Sequence, residues 1–204
     1  IFIMSMALWG TVLGSLFGGI PTDRLGRKKT LFWIGILYFA SALGSAFAPE
    51  AYSFSFFRFI GGVGVGASSV AAPVYISEIS TAQTRGRLTA MYQFNIVFGI
   101  LLAFISNYLI GIIFEESIAW RWMLGIEGLP ALIYTIMVFK IPNSPRWLLM
   151  KDKADALVIE SITLLGIAKD KASLHLEQIK IAIVETKEKT SEGLFSGKYN
   201  KPLV

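Results

Sequence analysis

The stretch Gly19-Ile-Pro-Thr-Asp23-Arg24-Leu-Gly26-Arg27-Lys28-Lys29 sets four cations and one aspartate between two segments, Ile1 to Thr22 and Thr30 to Pro49, that carry no charge at all. Each segment offers about 20 apolar or small residues, enough to cross ~30 Å of hydrocarbon as a helix. Charges packed this closely must lie in water, so the stretch is a loop joining two membrane spans. Gly26 permits the sharp reversal that a residue with a Cβ would resist.

Composition agrees with that reading. Hydrophobic residues make up 54% and charged residues 16% of the 204, with a mean hydropathy of +0.60, which is too apolar for an ordinary soluble domain. The net charge of +5 could suggest nucleic acid if the cations formed one stripe. Instead every Lys and Arg except Arg58 and Arg121 falls at residues 24 to 29, at 85 to 87, or from Lys140 onward. Those are alternate connections of a spanning bundle, the positive-inside pattern, and they predict that residues 23 to 29, 78 to 87 and 143 to 204 are cytoplasmic. Cysteine is absent and the redox compartment is unreadable from it. No basic leader or small-residue cleavage site opens the chain, so its first stretch reads as a span. An uncharged start on the outer side most simply follows an earlier span, and the sequence is expected to be a piece of a longer protein.

Five spans are predicted, at about 1–20, 31–48, 53–76, 88–114 and 123–141, in an all-α polytopic bundle over residues 1–142. The first carries Gly10, Gly14 and Gly18 on one helical face, which suits close helix packing better than a substrate path. The second has little polarity beyond Tyr38, Ser41 and Ser45 and is expected at the periphery. The third holds Arg58 followed by Gly61, Gly62, Gly64 and Gly66. In the fourth, Gln93, Asn95, Ser106 and Asn107 need partners and should face the bundle or a wet cavity. Glu115, Glu116, Trp120 and Trp122 read as an outer turn with an aromatic belt, and Glu127 lies near the outer end of the fifth span. Residues 143–204 form a cytoplasmic helical linker domain: apolar positions from Asp152 to Leu165 recur at helical spacing until Gly166, and a weaker helix runs over roughly 172–185. His175, with no second His or Cys near it, is a surface or packing residue, so no metal or other cofactor is expected.

Several motifs carry a resemblance. The loop reads G-x-x-x-D-R-x-G-R-K and looks like the signature of the major facilitator superfamily. Arg58 with its glycines, Pro73-Val-Tyr75-Ile-Ser-Glu78, Arg85-Gly86-Arg87, the Gln93 that follows, and Pro142-Asn143-Ser144-Pro145-Arg146-Trp147-Leu148-Leu149 resemble the sugar porter family in order and spacing. Asn143 stands where the family has glutamate. Together they look like spans two to six of a twelve-span carrier with part of its intracellular helices.

The resemblance implies a multi-pass carrier of the cell membrane that moves a hexose, pentose or polyol by alternating access, with or without a proton, and that is not an enzyme. Its partners would be the sugar, membrane lipid and, in symport, a proton, with no nucleic acid. It implies that Gln93 bonds a sugar hydroxyl beside an apolar wall of Ile96 and Val97. It also implies a cytoplasmic gate of Asp23, Arg24, Gly26, Arg27, Glu78, Arg85, Arg87 and Arg146. Arg58 and Glu127 sit at similar depth on descending spans, and two opposite charges there are more plausibly partners than separate lipid-facing ions. The resemblance adds proton coupling to that pair, against a static pair that fixes two helices. A carrier of another organic solute, or a truncated chain that transports nothing, stays open. A membrane enzyme is disfavoured, because no catalytic set appears within the spans.

Overall fold

The computed structural model describes residues 2–81 and 83–191, which form ten helices and divide into two compact units, one ending at Ser144 and the other starting at Pro145. The first unit contains α1 (Phe2–Phe17), α2 (Gly19–Arg24), α3 (Arg27–Ala46), α4 (Ala51–Ile79), α5 (Arg85–Ile113), α6 (Glu116–Gly125) and α7 (Gly128–Lys140). The second contains α8 (Pro145–Met150), α9 (Asp155–Leu164) and α10 (Lys169–Ser191). Among the described residues α3, α4, α5 and the run of α6 with α7 are long and apolar enough to cross a membrane, and Ser5–Phe17 is a shorter apolar helix. The protein is a multi-pass membrane protein.

The charged loop is more helical than its composition suggests. Gly18 interrupts the first helix, and the Thr22 hydroxyl bonds back to the Gly18 carbonyl at 2.7 Å while α2 carries the chain as far as Arg24. The reversal is confined to Leu25 and Gly26, whose φ of 93° is open to glycine and costly for a side chain with a Cβ. Arg27 then opens α3 directly.

Backbone approach decides the tightest packing. A Cβ at Gly10 or Gly14 of α1 would strike the carbonyl oxygens of Phe59 or Val63 on α4, and one at Gly62 or Gly66 of α4 would strike those of Ala7 or Thr11 on α1. The two helices therefore meet main chain to main chain, where dispersion and polar contacts replace the hydrophobic drive that lipid cancels.

The second span is not peripheral. α3 packs against α4, α6 and α7 and is the most buried of the long apolar helices, with Leu31, Ile34, Ala42, Ser45 and Ala46 inside. One face of it packs on protein and the other does not, and both are apolar, so composition alone did not separate them. The fifth span also needs correction. Its helix starts at Glu116, ahead of the expected 123, and the supposed outer turn is α6, where an acid in the first turn meets the helix dipole favourably. α6 and α7 then meet at Ile126 and Glu127.

α5 packs on α4 and α6, yet none of its residues is buried. Gln93 and Asn95 are exposed and Ser106 and Asn107 half-buried.

In the second unit Leu148, Val158, Ile162, Ala172 and Leu176 form the core. Pro145 opens α8 where its missing N–H costs nothing. α9 stops at a paired turn in which Gly166 N–H donates to the Thr163 carbonyl at 3.0 Å and Ile167 N–H to that of Ile162 at 3.4 Å. Gly166 takes the left-handed φ of 90° that this helix ending demands. The last helix is longer than the sequence pattern indicates, from Lys169 to Ser191, and His175 is a half-buried member of it.

Candidate functional site: a charged latch and an intramembrane cavity

At the charged end of the first unit, α3 begins with a cation inside protein. Arg27 is 6% exposed and presents Nε and Nη2 to the two carboxylate oxygens of Glu78 at 2.8 and 2.9 Å. The Glu78 side chain is itself only 8% exposed. Nη1 of Arg27 donates to the Thr22 carbonyl at 3.1 Å and lies 3.1 Å from Oδ1 of the exposed Asp23. The Ser144 hydroxyl donates to Oε2 of Glu78 at 2.6 Å, and the Tyr75 hydroxyl donates to the Pro142 carbonyl at 2.8 Å. The pair joins one hydrogen bond, from Nη2, to a close charge contact at Nε. It ties the start of α3, the end of α4 and the segment after α7 into one knot. Lys28 adds a bond from its ammonium to the Phe139 carbonyl of α7 at 2.9 Å.

Of the residues expected in a gate, the structure gathers Asp23, Arg27 and Glu78, with Gly26 as the hinge that delivers Arg27. Arg24, Arg85 and Arg87 are exposed and stand outside that knot, while Arg146 is half-buried on α8 of the second unit. Ser144, Tyr75 and the Thr22 carbonyl belong to the knot and were missed from sequence. The serine had a signal, since it lies in the same Pro-Asn-Ser-Pro motif as Arg146. A backbone carbonyl has none.

Within the membrane, α1, α3, α4 and α7 surround an open cavity of about 430 Å³. Arg58 and Glu127 both line it, together with Thr11, Tyr38, Ser41 and Tyr134. Among the described residues the two charges make no direct ion pair, and the Arg58 guanidinium lies 5.6 Å from the centre of the Phe54 ring. Tyr38 and Ser41 are three residues apart, on one face of α3, and that spacing was the available sequence signal for the hydroxyl wall. Gln93, Ile96 and Val97 are exposed on α5 and do not line this cavity.

The model described as "Sugar (and other) transporter" matches residues 1–203. The chain is 41% identical over 161 residues to a glucose transport protein of Synechocystis sp., covering 74% of this chain and 34% of that protein. It is 37% identical over 179 residues to the arabinose-proton symporter of Escherichia coli K12, covering 88% of this chain and 37% of that one. Its fold superimposes with a TM-score of 0.86 on the proton:xylose symporter XylE bound to 6-bromo-6-deoxy-D-glucose, at 31% identity over 95% of this chain and 45% of the symporter. The chain spans about a third to a half of the length of these proteins. With a family model matched along nearly all its residues and a fold that superimposes on part of a sugar symporter, the chain belongs to the sugar porter family of the major facilitator superfamily.

Proposed function

We propose that the protein of which this sequence is read carries a sugar of the hexose, pentose or polyol class across the membrane by alternating access, with a proton as coupled ion. The observation that carries the reading is the pair of opposite charges, Arg58 and Glu127, on one intramembrane cavity in a bundle shared with proton-linked sugar symporters. Intramembrane ions are costly, at least ~2.5 to 3.5 kcal/mol each at the bilayer centre, and persist where an ion or substrate uses them. Protonation of a Glu127 carboxylate oxygen would cancel its attraction to Arg58 and free α4 to move relative to α7. The exposed Gln93 of α5 supplies an amide to a sugar hydroxyl, with Ile96 and Val97 as the apolar surface beside it. Asp23, Arg27 and Glu78 hold the cytoplasmic side shut in the outward-open state, with Gly26 shaping the turn and the exposed Arg24, Arg85 and Arg87 as further cations of that side.

The test is uptake of a panel of labelled sugars by cells expressing the reading frame that holds this chain, with and without a proton gradient. A saturable uptake that collapses with the gradient is expected. Glu127→Gln should reduce gradient-driven accumulation more than sugar exchange, because exchange needs no net proton movement. Gln93→Ala should weaken sugar binding several-fold at unchanged expression. No uptake of any sugar by a well-expressed product would overturn the reading.

A further inference from the structure

We propose that Ser144 is a positioning residue of the latch, whose hydroxyl holds Oε2 of Glu78 out of hydrogen-bonding alignment with Nε of Arg27. The buried ion pair is thereby kept to a single hydrogen bond and stays releasable. The inference rests on the reading of Arg27 and Glu78 as a cytoplasmic gate and adds the group that sets how tightly it closes.

Two side chains compete for one carboxylate. Nη2 of Arg27 donates to Oε1 of Glu78 at 2.9 Å. Nε of the same guanidinium lies 2.8 Å from Oε2, close enough to bond, yet it has no hydrogen-bond partner among the described residues, so its N–H is not directed at that oxygen. The Ser144 hydroxyl donates to the same Oε2 at 2.6 Å. That length is typical of a hydroxyl on an ionised carboxylate, the stronger class of hydrogen bond, so the serine has the better hold on Oε2. Arg27 is 6%, Glu78 8% and Ser144 1% exposed. Water has little access to these groups, and a misaligned Nε–H is a bond forgone rather than one exchanged for solvent.

The serine is held in place by more than its bond to Glu78. Tyr75 lies three residues before Glu78 and so on the same face of α4, and its hydroxyl donates to the Pro142 carbonyl at 2.8 Å. Proline at 142 and again at 145 fixes φ on either side of Ser144. On the far side of the pair, Nη1 of Arg27 donates to the Thr22 carbonyl at 3.1 Å and lies 3.1 Å from Oδ1 of Asp23, so the guanidinium is tied to α2. With both flanks held, the carboxylate is the part left to turn, and the Ser144 hydroxyl decides which way. A guanidinium that engaged both oxygens through two parallel hydrogen bonds would be the tighter pair. Withdrawing one oxygen lets the start of α3 and the end of α4 part at lower cost.

Isotope-edited NMR of the arginine Nε–H groups of the chain in lipid nanodiscs tests the placement, with Arg27→Lys assigning the signal. In Ser144→Ala the freed Oε2 should take the Nε hydrogen, and the Arg27 Nε–H proton should move downfield with helix content unchanged. An unmoved proton in the folded variant overturns the proposal. If Ser144→Ala does not fold, Ser144→Cys, close in shape and a weak donor, decides on the same signal. In cells expressing the reading frame that holds this chain, Ser144→Ala should lower the maximal rate of sugar exchange about three- to tenfold, near the worth of one hydrogen bond, without raising the half-saturating sugar concentration. In a Glu78→Gln background the same change should leave that rate unmoved. A rate that still falls there overturns the proposal, since the serine would then act through another group. Failure of the gate reading looks different: sugar exchange would be alike in the native, Ser144→Ala and Glu78→Gln forms, while the moved Nε–H proton would still establish that the serine places Oε2.

Discussion

Breaking the Arg27–Glu78 pair should reveal how much of the first unit's stability resides in one knot. Both side chains are less than a tenth exposed, so the pair belongs to the buried class, where deleting one partner strands the other charge. In Arg27→Gln, Glu78 keeps only the Ser144 hydroxyl among its described partners, and the loss should be about 3–5 kcal/mol. In Glu78→Gln, Arg27 keeps the Thr22 carbonyl and Asp23, so the loss should be smaller, about 2–3 kcal/mol. The double variant strands nothing and should lose well below the sum, giving a coupling of about 2 kcal/mol or more. Asp23→Asn is the control. Asp23 is 73% exposed, and an exposed partner is worth about 1 kcal/mol or less. Equilibrium unfolding of the chain in mixed micelles reads all four. Losses under about 1 kcal/mol for both single variants, or additive losses in the double, would refute the assignment of a desolvated pair.

Three further outcomes are expected. Gly66→Val should separate α1 from α4, because its Cβ meets the Thr11 carbonyl; cross-linking between cysteines placed on the two helices should fall, and unchanged cross-linking would contradict main-chain contact there. Ile162→Ala, at a fully buried position in the second unit, should cost about 2–5 kcal/mol, and Gly166→Ala about 1–2 kcal/mol from its left-handed φ, both read from loss of helical signal of that unit in denaturant. Hydrogen bonding to Asp155 raises Lys180 above its ordinary 10.5, so the ammonium favours the fold at all lower pH and its contribution disappears only as pH rises through that raised value; hydrogen exchange of α9 and α10 should be independent of Lys180 charge across the neutral range.

Much of the architecture is local and was therefore legible. A run of apolar residues long enough to span hydrocarbon must form a helix, because no other local structure satisfies its backbone there. The Arg and Glu of the knot were legible as charged motif positions, and Arg58 and Glu127, two charges inside apolar runs, line one cavity. What sequence could not supply was rotation and partner. α3 and a lipid-facing helix have the same composition, since neighbouring protein and lipid are equally apolar, so only the tertiary structure shows it as the most buried long helix. Which way the amide-bearing α5 turns depends on contacts made by other segments, and in this structure Gln93 is exposed. Ser144 reaches Glu78 across 66 residues of chain, and Ser41 meets Tyr134 and Glu127 around a shared void. Such meetings have no local sequence signature, because they are fixed by how close α1, α3, α4 and α7 come, and that closeness is set by glycines lying on different helices.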